Sequence, residues 1–132
     1  MYLVDTNIWL ERLLDQARSE EVGEFLSQIP TEHLLMSDFS LHSIGVILTR
    51  LGQTDTLPEF VDDVFIQGGV TLISVPPANM CQLVAGINQF NLDFDDAYQY
   101  AAAKQYSATI ISFDSDFDRT DAGRQTPQAI LS

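Results

Sequence analysis

Cysteine is almost missing from this sequence. Cys81 is the single one in 132 residues, which excludes an intramolecular disulfide and any pair of thiolate metal ligands. A reducing cytosol fits that usage best. Positive charge is the next scarcity: 6 Lys and Arg stand against 19 Asp and Glu, a formal net charge of −13. Such a surface repels polyphosphate at long range. Binding to nucleic acid therefore requires bound metal, a clustering of the few arginines near the site, or a basic partner. The chain also has no basic, apolar leader at its start and no hydrophobic run of membrane-spanning length, so it is expected to be cytoplasmic, with no membrane contact. Repeats, low-complexity tracts and linkers are absent, and prolines are few and scattered. Residues 1–132 are accordingly expected to form a single domain.

What is present suits a packed core. Hydrophobic residues make up 45% of the chain and charged residues 19%, the balance of a globular protein. Tyr2 to Val4 is a short apolar run that predicts a buried strand, followed by a helix from about Asn7 to Leu14. Ser19 is expected to cap a second helix, with Val22, Phe25, Leu26 and Ile29 at helical spacing and Pro30 as its stop. His33 to Met36 predicts a second strand. Ser37 or Asp38 then caps a helix carrying Phe39, Leu41, Ile44, Ile47, Leu48 and Leu51, closed by Gly52. A further helix is expected over Leu57 to Ile66, a buried strand over Val70 to Val75, and a helix from Pro76-Pro77 through Phe90.

The most regular segment follows. Phe94, Ala97, Tyr98, Ala101, Ala102 and Tyr106 mark an amphipathic helix, with Asp93 as N-cap and Asp95 and Asp96 in the first turn, where acidic groups favour the positive end of the helix dipole. Tyr98 and Tyr106 are expected in the core. Thr109 to Phe113 predicts a last buried strand ending at Asp114. Strands alternating with helices imply an α/β fold of three layers, α/β/α, around a mostly parallel sheet.

In open parallel sheets ligands bind at the carboxyl ends of the strands. Asp5 follows the first strand, Asp114 and Asp116 follow the last, and Asp96 opens a helix facing the same edge. Carboxylates are hard ligands suited to Mg2+ or Mn2+, and like charges gathered at a strand edge are costly without a cation. Each position also has a plain structural reading: an Asp before a helix is commonly a cap, and an Asp-rich loop is commonly a solvated turn. The combination is what carries information.

The segments Val4-Asp5-Thr6-Asn7, Asp95-Asp96-Ala97 and Ile111-Ser112-Phe113-Asp114-Ser115-Asp116-Phe117 resemble, in order, spacing and context, the motifs of PIN domains, including the VapC-type toxins of toxin–antitoxin pairs. The resemblance runs from Leu3 to Phe117. It implies a metal-dependent endoribonuclease, Mg2+ or Mn2+ as cofactor, an RNA substrate, a small antitoxin partner inserting a segment near the site, and a homodimer. By the same resemblance Asp5, Asp96 and Asp114 match metal-binding positions, with Asp116 auxiliary, and Thr6, Asn7 and Ser112 match small polar positions that orient the carboxylates.

One position departs from the pattern. The family usually carries a Glu early in the helix after the second strand, and the alignment places Ser43 there. His42 is adjacent, and Asp38 lies one to two turns away, where only a rotated or differently started helix would let it compensate. The alternative implied is a catalytically weakened PIN domain acting as a binding or scaffold module. Among other candidates, Cys81 is expected in the core rather than as a nucleophile, Trp9 and the phenylalanines in core packing, and Arg12 and Lys104 in surface ion pairs. A haloacid-dehalogenase-type phosphatase would need a second Asp where this chain has Asn7, and a receiver domain would need an Asp pair before the first helix.

Overall fold

The computed structural model describes residues 1–132. Four short strands, β1 (Tyr2–Val4), β2 (Leu34–Ser37), β3 (Thr71–Ile73) and β4 (Thr109–Ile111), form one sheet in the order β3-β2-β1-β4, every pair parallel. Seven helices connect or flank them: α1 (Thr6–Leu13), α2 (Ser19–Gln28), α3 (Asp38–Arg50), α4 (Thr56–Val61), α5 (Met80–Phe90), α6 (Phe94–Tyr106) and α7 (Pro127–Leu131). The expected α/β fold with a parallel central sheet is therefore what forms.

Period-2 alternation in the strands explains the layers. Leu3, Leu35 and Ile110 point into one core, shared with Leu83 of α5 and Ala97, Tyr100, Ala102 and Ala103 of α6. Val4, Leu34, Met36 and Ile111 point the other way, against Ile8 and Trp9 of α1, Val22 and Phe25 of α2, Ile44 and Leu48 of α3, and Phe60 of α4. A sheet buried on both faces needs apolar residues at successive positions, which is why the strands read as continuous hydrophobic runs. Burying a side chain the size of Leu3 or Phe25, both fully enclosed, contributes about 1.5–3 kcal/mol.

Several boundaries move, each for a local reason. α1 starts at Thr6 because Asp5 is its N-cap, accepting from the Thr6 N–H. Ser19 is the first residue of α2 rather than its cap; its buried hydroxyl accepts from Arg12 instead. β2 is shifted by one residue, since His33 closes a 3-10 turn. The segment expected as one helix over Leu57 to Ile66 is α4 followed by a wider π-type turn, Asp62–Gln67. The run Val70 to Val75 contributes only three residues to the ladder. β3 is an edge strand, and Thr71 and Leu72 are exposed. β4 ends at Ile111 because Gln125 takes over the pairing: Ser112 N–H donates to Gln125 O, and Gln125 N–H to Ile110 O.

Other side chains differ from expectation. Cys81 is exposed on α5 and does not belong to the core. Tyr98 is buried, but Tyr106 and Phe94, at the two ends of α6, are 42% and 48% exposed. The reason is that α6 is not a one-sided helix: Asp96 to Tyr100 are five successive buried residues. Its middle is enclosed by the sheet and α5, where Gly86 admits the Tyr100 ring; a Cβ there would sit 3.3 Å from Tyr100 Cδ2. Its ends project beyond that contact. Lys104 forms the expected exposed ion pair, at 2.7 Å to Asp121. Arg12 does not pair with an acid; it lies over Gly23 and donates to the Ser19 carbonyl and hydroxyl. No helix is long and apolar enough to cross a membrane.

Candidate metal centre

All four strands run the same way, so their carboxyl ends share one edge of the sheet. The chain adds β2 and β3 on one side of β1 and returns to place β4 on the other. The connections leaving β1 and β4 diverge there and open a crevice. Asp5 leaves β1 at this point, Ser112 and Asp114 leave β4, and α6 brings its first turn to the same place.

Asp5 is buried, with both carboxylate oxygens engaged. Oδ1 accepts from Thr6 N–H at 2.8 Å and from Gln99 Nε2 at 2.8 Å, and Oδ2 accepts from the Ser112 hydroxyl at 2.7 Å. Asn7 secures this donor. Its Nδ2 donates to Ser112 Oγ at 3.1 Å, and its Oδ1 accepts from Phe113 N–H, tying α1 to the exit of β4. Thr6 donates to Ser40 Oγ at 2.8 Å, and Gln99 Nε2 donates to the same oxygen at 2.6 Å. Every donor to Asp5 is neutral.

Asp96, Asp114 and Asp116 form the tight group. One carboxylate oxygen from each lies within 4.8 Å of the others. The sequence folds this way locally because Asp93 caps α6 by accepting from Asp96 N–H, and Asp114 accepts from Asp116 N–H, folding the loop after β4 into a helical turn over Ser115–Arg119. Asp5, Asp96 and Asp114 line one cavity of about 590 Å3, together with Thr6, Asn7, His42, Ser43, Arg50 and Gln99.

The electrostatics are unrelieved. No Lys or Arg pairs with Asp5, Asp96 or Asp114; Arg119 lies 3.6 Å from Asp116, and Arg50 lines the cavity without an acidic partner. Burial, then the like charges of Asp114, Asp93, Asp5 and Asp116, push the Asp96 carboxyl up to about 7. Burial also raises Asp5, against the lowering effect of its hydrogen bonds from Gln99, Ser112 and Thr6. Three carboxylates within reach of one another, with Asp5 lining the same cavity and only Arg119 paired to the group, are hard oxygen donors that fit a divalent cation.

Of the residues singled out in the sequence, the structure gathers Asp5, Thr6, Asn7, His42, Ser43, Asp96 and Asp114 around the cavity, with Asp116 beside Asp96 and Asp114 and Ser112 behind Asp5. Asp38 does not take part. Its carboxylate accepts from Phe39 N–H and, at 2.7 Å, from the Tyr98 hydroxyl, away from the cluster. Three residues escaped the sequence reading. Ser40 is fully buried and bridges Thr6 and Gln99. Gln99 follows Asp96 by three residues, a spacing that shares a helix face and was the available signal. Arg50 is the one cation of six without an ion pair, a hydrogen bond or a ring contact: Arg12 is bound by Ser19, Arg18 lies over Phe113, and Lys104, Arg119 and Arg124 pair with acids.

A profile described as PIN domain matches residues 2–123. No curated protein matches the sequence. Among solved structures, FitAcB from Neisseria gonorrhoeae superposes with a TM-score of 0.76 at 23% identity, over 97% of this chain and 99% of that one. A toxin–antitoxin complex from Klebsiella pneumoniae gives a TM-score of 0.76 at 21% identity, over 96% and 98%. VapC20 of Mycobacterium tuberculosis, a toxin that cleaves the sarcin–ricin loop, gives 0.76 at 18%, over 89% and 93%.

Proposed function

This chain belongs to the PIN-domain family, and from that premise we propose that it is a divalent-metal-dependent endoribonuclease and the toxin of a toxin–antitoxin pair. The observation that carries the reading is the grouping of Asp96, Asp114 and Asp116 within 4.8 Å, beside a buried Asp5 held only by neutral donors. The fold's likeness to FitAcB, to a Klebsiella toxin–antitoxin complex and to an RNA-cleaving toxin supports it.

Asp5, Asp96, Asp114 and Asp116 would hold Mg2+ or Mn2+. When bound, such an ion lowers the pKa of water and offsets charge developing on phosphate during in-line hydrolysis. The chain's own part is positional. Thr6, Ser112 and Gln99 fix the Asp5 carboxylate, Asn7 and Ser40 fix those donors, and Asp93 sets the turn that presents Asp96. Arg50 answers the charge problem posed by the acidic composition. Its unpaired guanidinium lines the cavity and would meet an RNA phosphate next to the cleaved one. We further propose a cytoplasmic protein whose residues 1–132 form one PIN domain, a homodimer, and a small antitoxin partner.

Purified protein with Mg2+ or Mn2+ is expected to cut RNA, and chelation, Asp5→Asn or Asp96→Asn is expected to stop it. Cutting that survives both substitutions overturns the proposal. The second reading, a binding or scaffold module, is favoured by one observation: Ser43 lines the cavity where the family resemblance calls for an acid. A protein that binds partner but neither metal nor RNA would establish it.

A further inference from the structure

Gln99 is 2% exposed, and its Oε1 is the sole buried side-chain polar atom left without a hydrogen-bond partner. Buried acceptors are nearly always satisfied, so an orphan calls for a missing partner. The amide cannot simply turn over. Nε2 donates to Asp5 Oδ1 at 2.8 Å and to Ser40 Oγ at 2.6 Å, and reversal would set Oε1 against a carboxylate while stranding the donor. The orientation that serves Asp5 is thus the one that leaves Oε1 free. Gln99 also lines the cavity with Asp5, Asp96 and Asp114, one helical turn after Asp96.

We infer that Gln99 takes over the task of the acid absent at Ser43: its N–H group sets the Asp5 carboxylate, and its free Oε1 is a neutral oxygen for the hydrated divalent cation. The inference rests on the metal-site reading above. It explains two features together. A carboxylate at position 99 would lack the donor that Asp5 uses, and an apolar side chain would lack both donor and acceptor; an amide supplies each. A neutral oxygen also adds a contact without adding a further like charge to Asp5, Asp96, Asp114 and Asp116.

The test is calorimetric titration of metal-free protein with Mn2+, alongside Mn2+-induced shifts in Tm, for wild type, Gln99→Leu, Gln99→Met, Gln99→Glu and Asp96→Asn. Gln99→Leu and Gln99→Met are expected to weaken Mn2+ binding about 10–100-fold. Gln99→Glu keeps an oxygen but loses the N–H to Asp5, and is expected to bind Mn2+ more tightly than either apolar variant, with a larger Mn2+-induced rise in Tm than theirs. Affinity within twofold of wild type in whichever apolar variant folds overturns the inference, as does equal weakening in the Glu variant, which would assign the effect to the amide N–H alone. Asp96→Asn separates the two ideas. If wild type binds Mn2+ and this variant does not, the metal site stands whatever Gln99 does; if wild type binds no Mn2+, both fall.

Discussion

Two acidic regions of this molecule solve the same problem in opposite ways. On the solvent side of α6, Asp121 accepts from Lys104 Nζ at 2.7 Å and from the Tyr100 hydroxyl at 2.6 Å. Those hydrogen bonds hold its carboxyl below the usual range. At the other end of the same helix, Asp96 faces Asp114 and Asp116 with no base paired to Asp96 or Asp114, and its carboxyl rises to about 7. One region is complete as it stands; the other, on the proposed reading, leaves its charge for a cation to balance. In a chain with so few bases, the informative feature is that Asp96 and Asp114 have no ion pair and the cluster's single one, Arg119 to Asp116, is long at 3.6 Å.

The strongest way to break the contrast is to remove charge from each region in turn. Asp96→Asn is expected to take RNA cleavage from full activity to background in a gel assay with Mn2+, whereas Lys104→Met leaves it unchanged. Loss of activity in both, with fold intact, would dissolve the distinction.

The pH dependence of the metal-free protein should carry opposite signs in the two regions. Asp96 is protonated up to about 7 when folded but only to near the ordinary Asp value of 3.8 when unfolded. The folded state therefore binds more protons between those values. Its contribution is full at low pH and is lost as pH rises through about 7. Tm in chelator should fall from about pH 5 to about pH 8, Mn2+ should restore it, and Asp96→Asn should flatten the slope. Asp121, with a lowered pKa, contributes stability above the ordinary Asp value that is lost as pH falls. Asp121→Asn should leave the neutral slope unchanged and soften only the acid side. Calorimetric scans across pH check both.

A smaller effect tests the wiring. Ser112→Ala removes the donor to Asp5 Oδ2 and the acceptor for Asn7 and Asp114 N–H. Urea unfolding should register a loss of about 1–3 kcal/mol. Smaller again, Arg50→Gln should weaken binding of a short single-stranded RNA and reduce the salt slope of log K by about 0.7, one phosphate contact. An unchanged slope would remove Arg50 from the substrate path. Lys104→Met should leave the slope as it is and barely move Tm, since exposed ion pairs contribute little.

Legibility in the sequence followed what each feature depends on. The strands and the caps Asp5, Ser37 and Asp93 were readable because they rest on contiguous apolar runs or on a side chain reaching its own backbone a few residues on. The acids Asp5, Asp96 and Asp114 were readable as a set, since each follows a strand or opens a helix at one sheet edge. The failures lay where neighbours decide. Cys81 on α5 looked apolar and is exposed; Tyr106 kept the helical period but lies past the end of the packing contact. Thr71 and Leu72 fell on a strand whose edge position no local pattern reveals.

The sequence by itself determined the α/β alternation, the two-faced strands and the identity of the acids that meet. Only tertiary structure decided how they are held. Asp5 and Gln99 are 94 residues apart, and Asp5 and Ser112 are 107 apart. Hydrogen bonds over such separations exist once the parallel sheet has set β1 between β2 and β4. The same arrangement withdrew Asp38 to Tyr98 and left Gln99 Oε1 without a partner. Local chemistry writes caps and strands along the chain, whereas the donor that a buried charge obtains depends on which distant backbone the fold brings beside it.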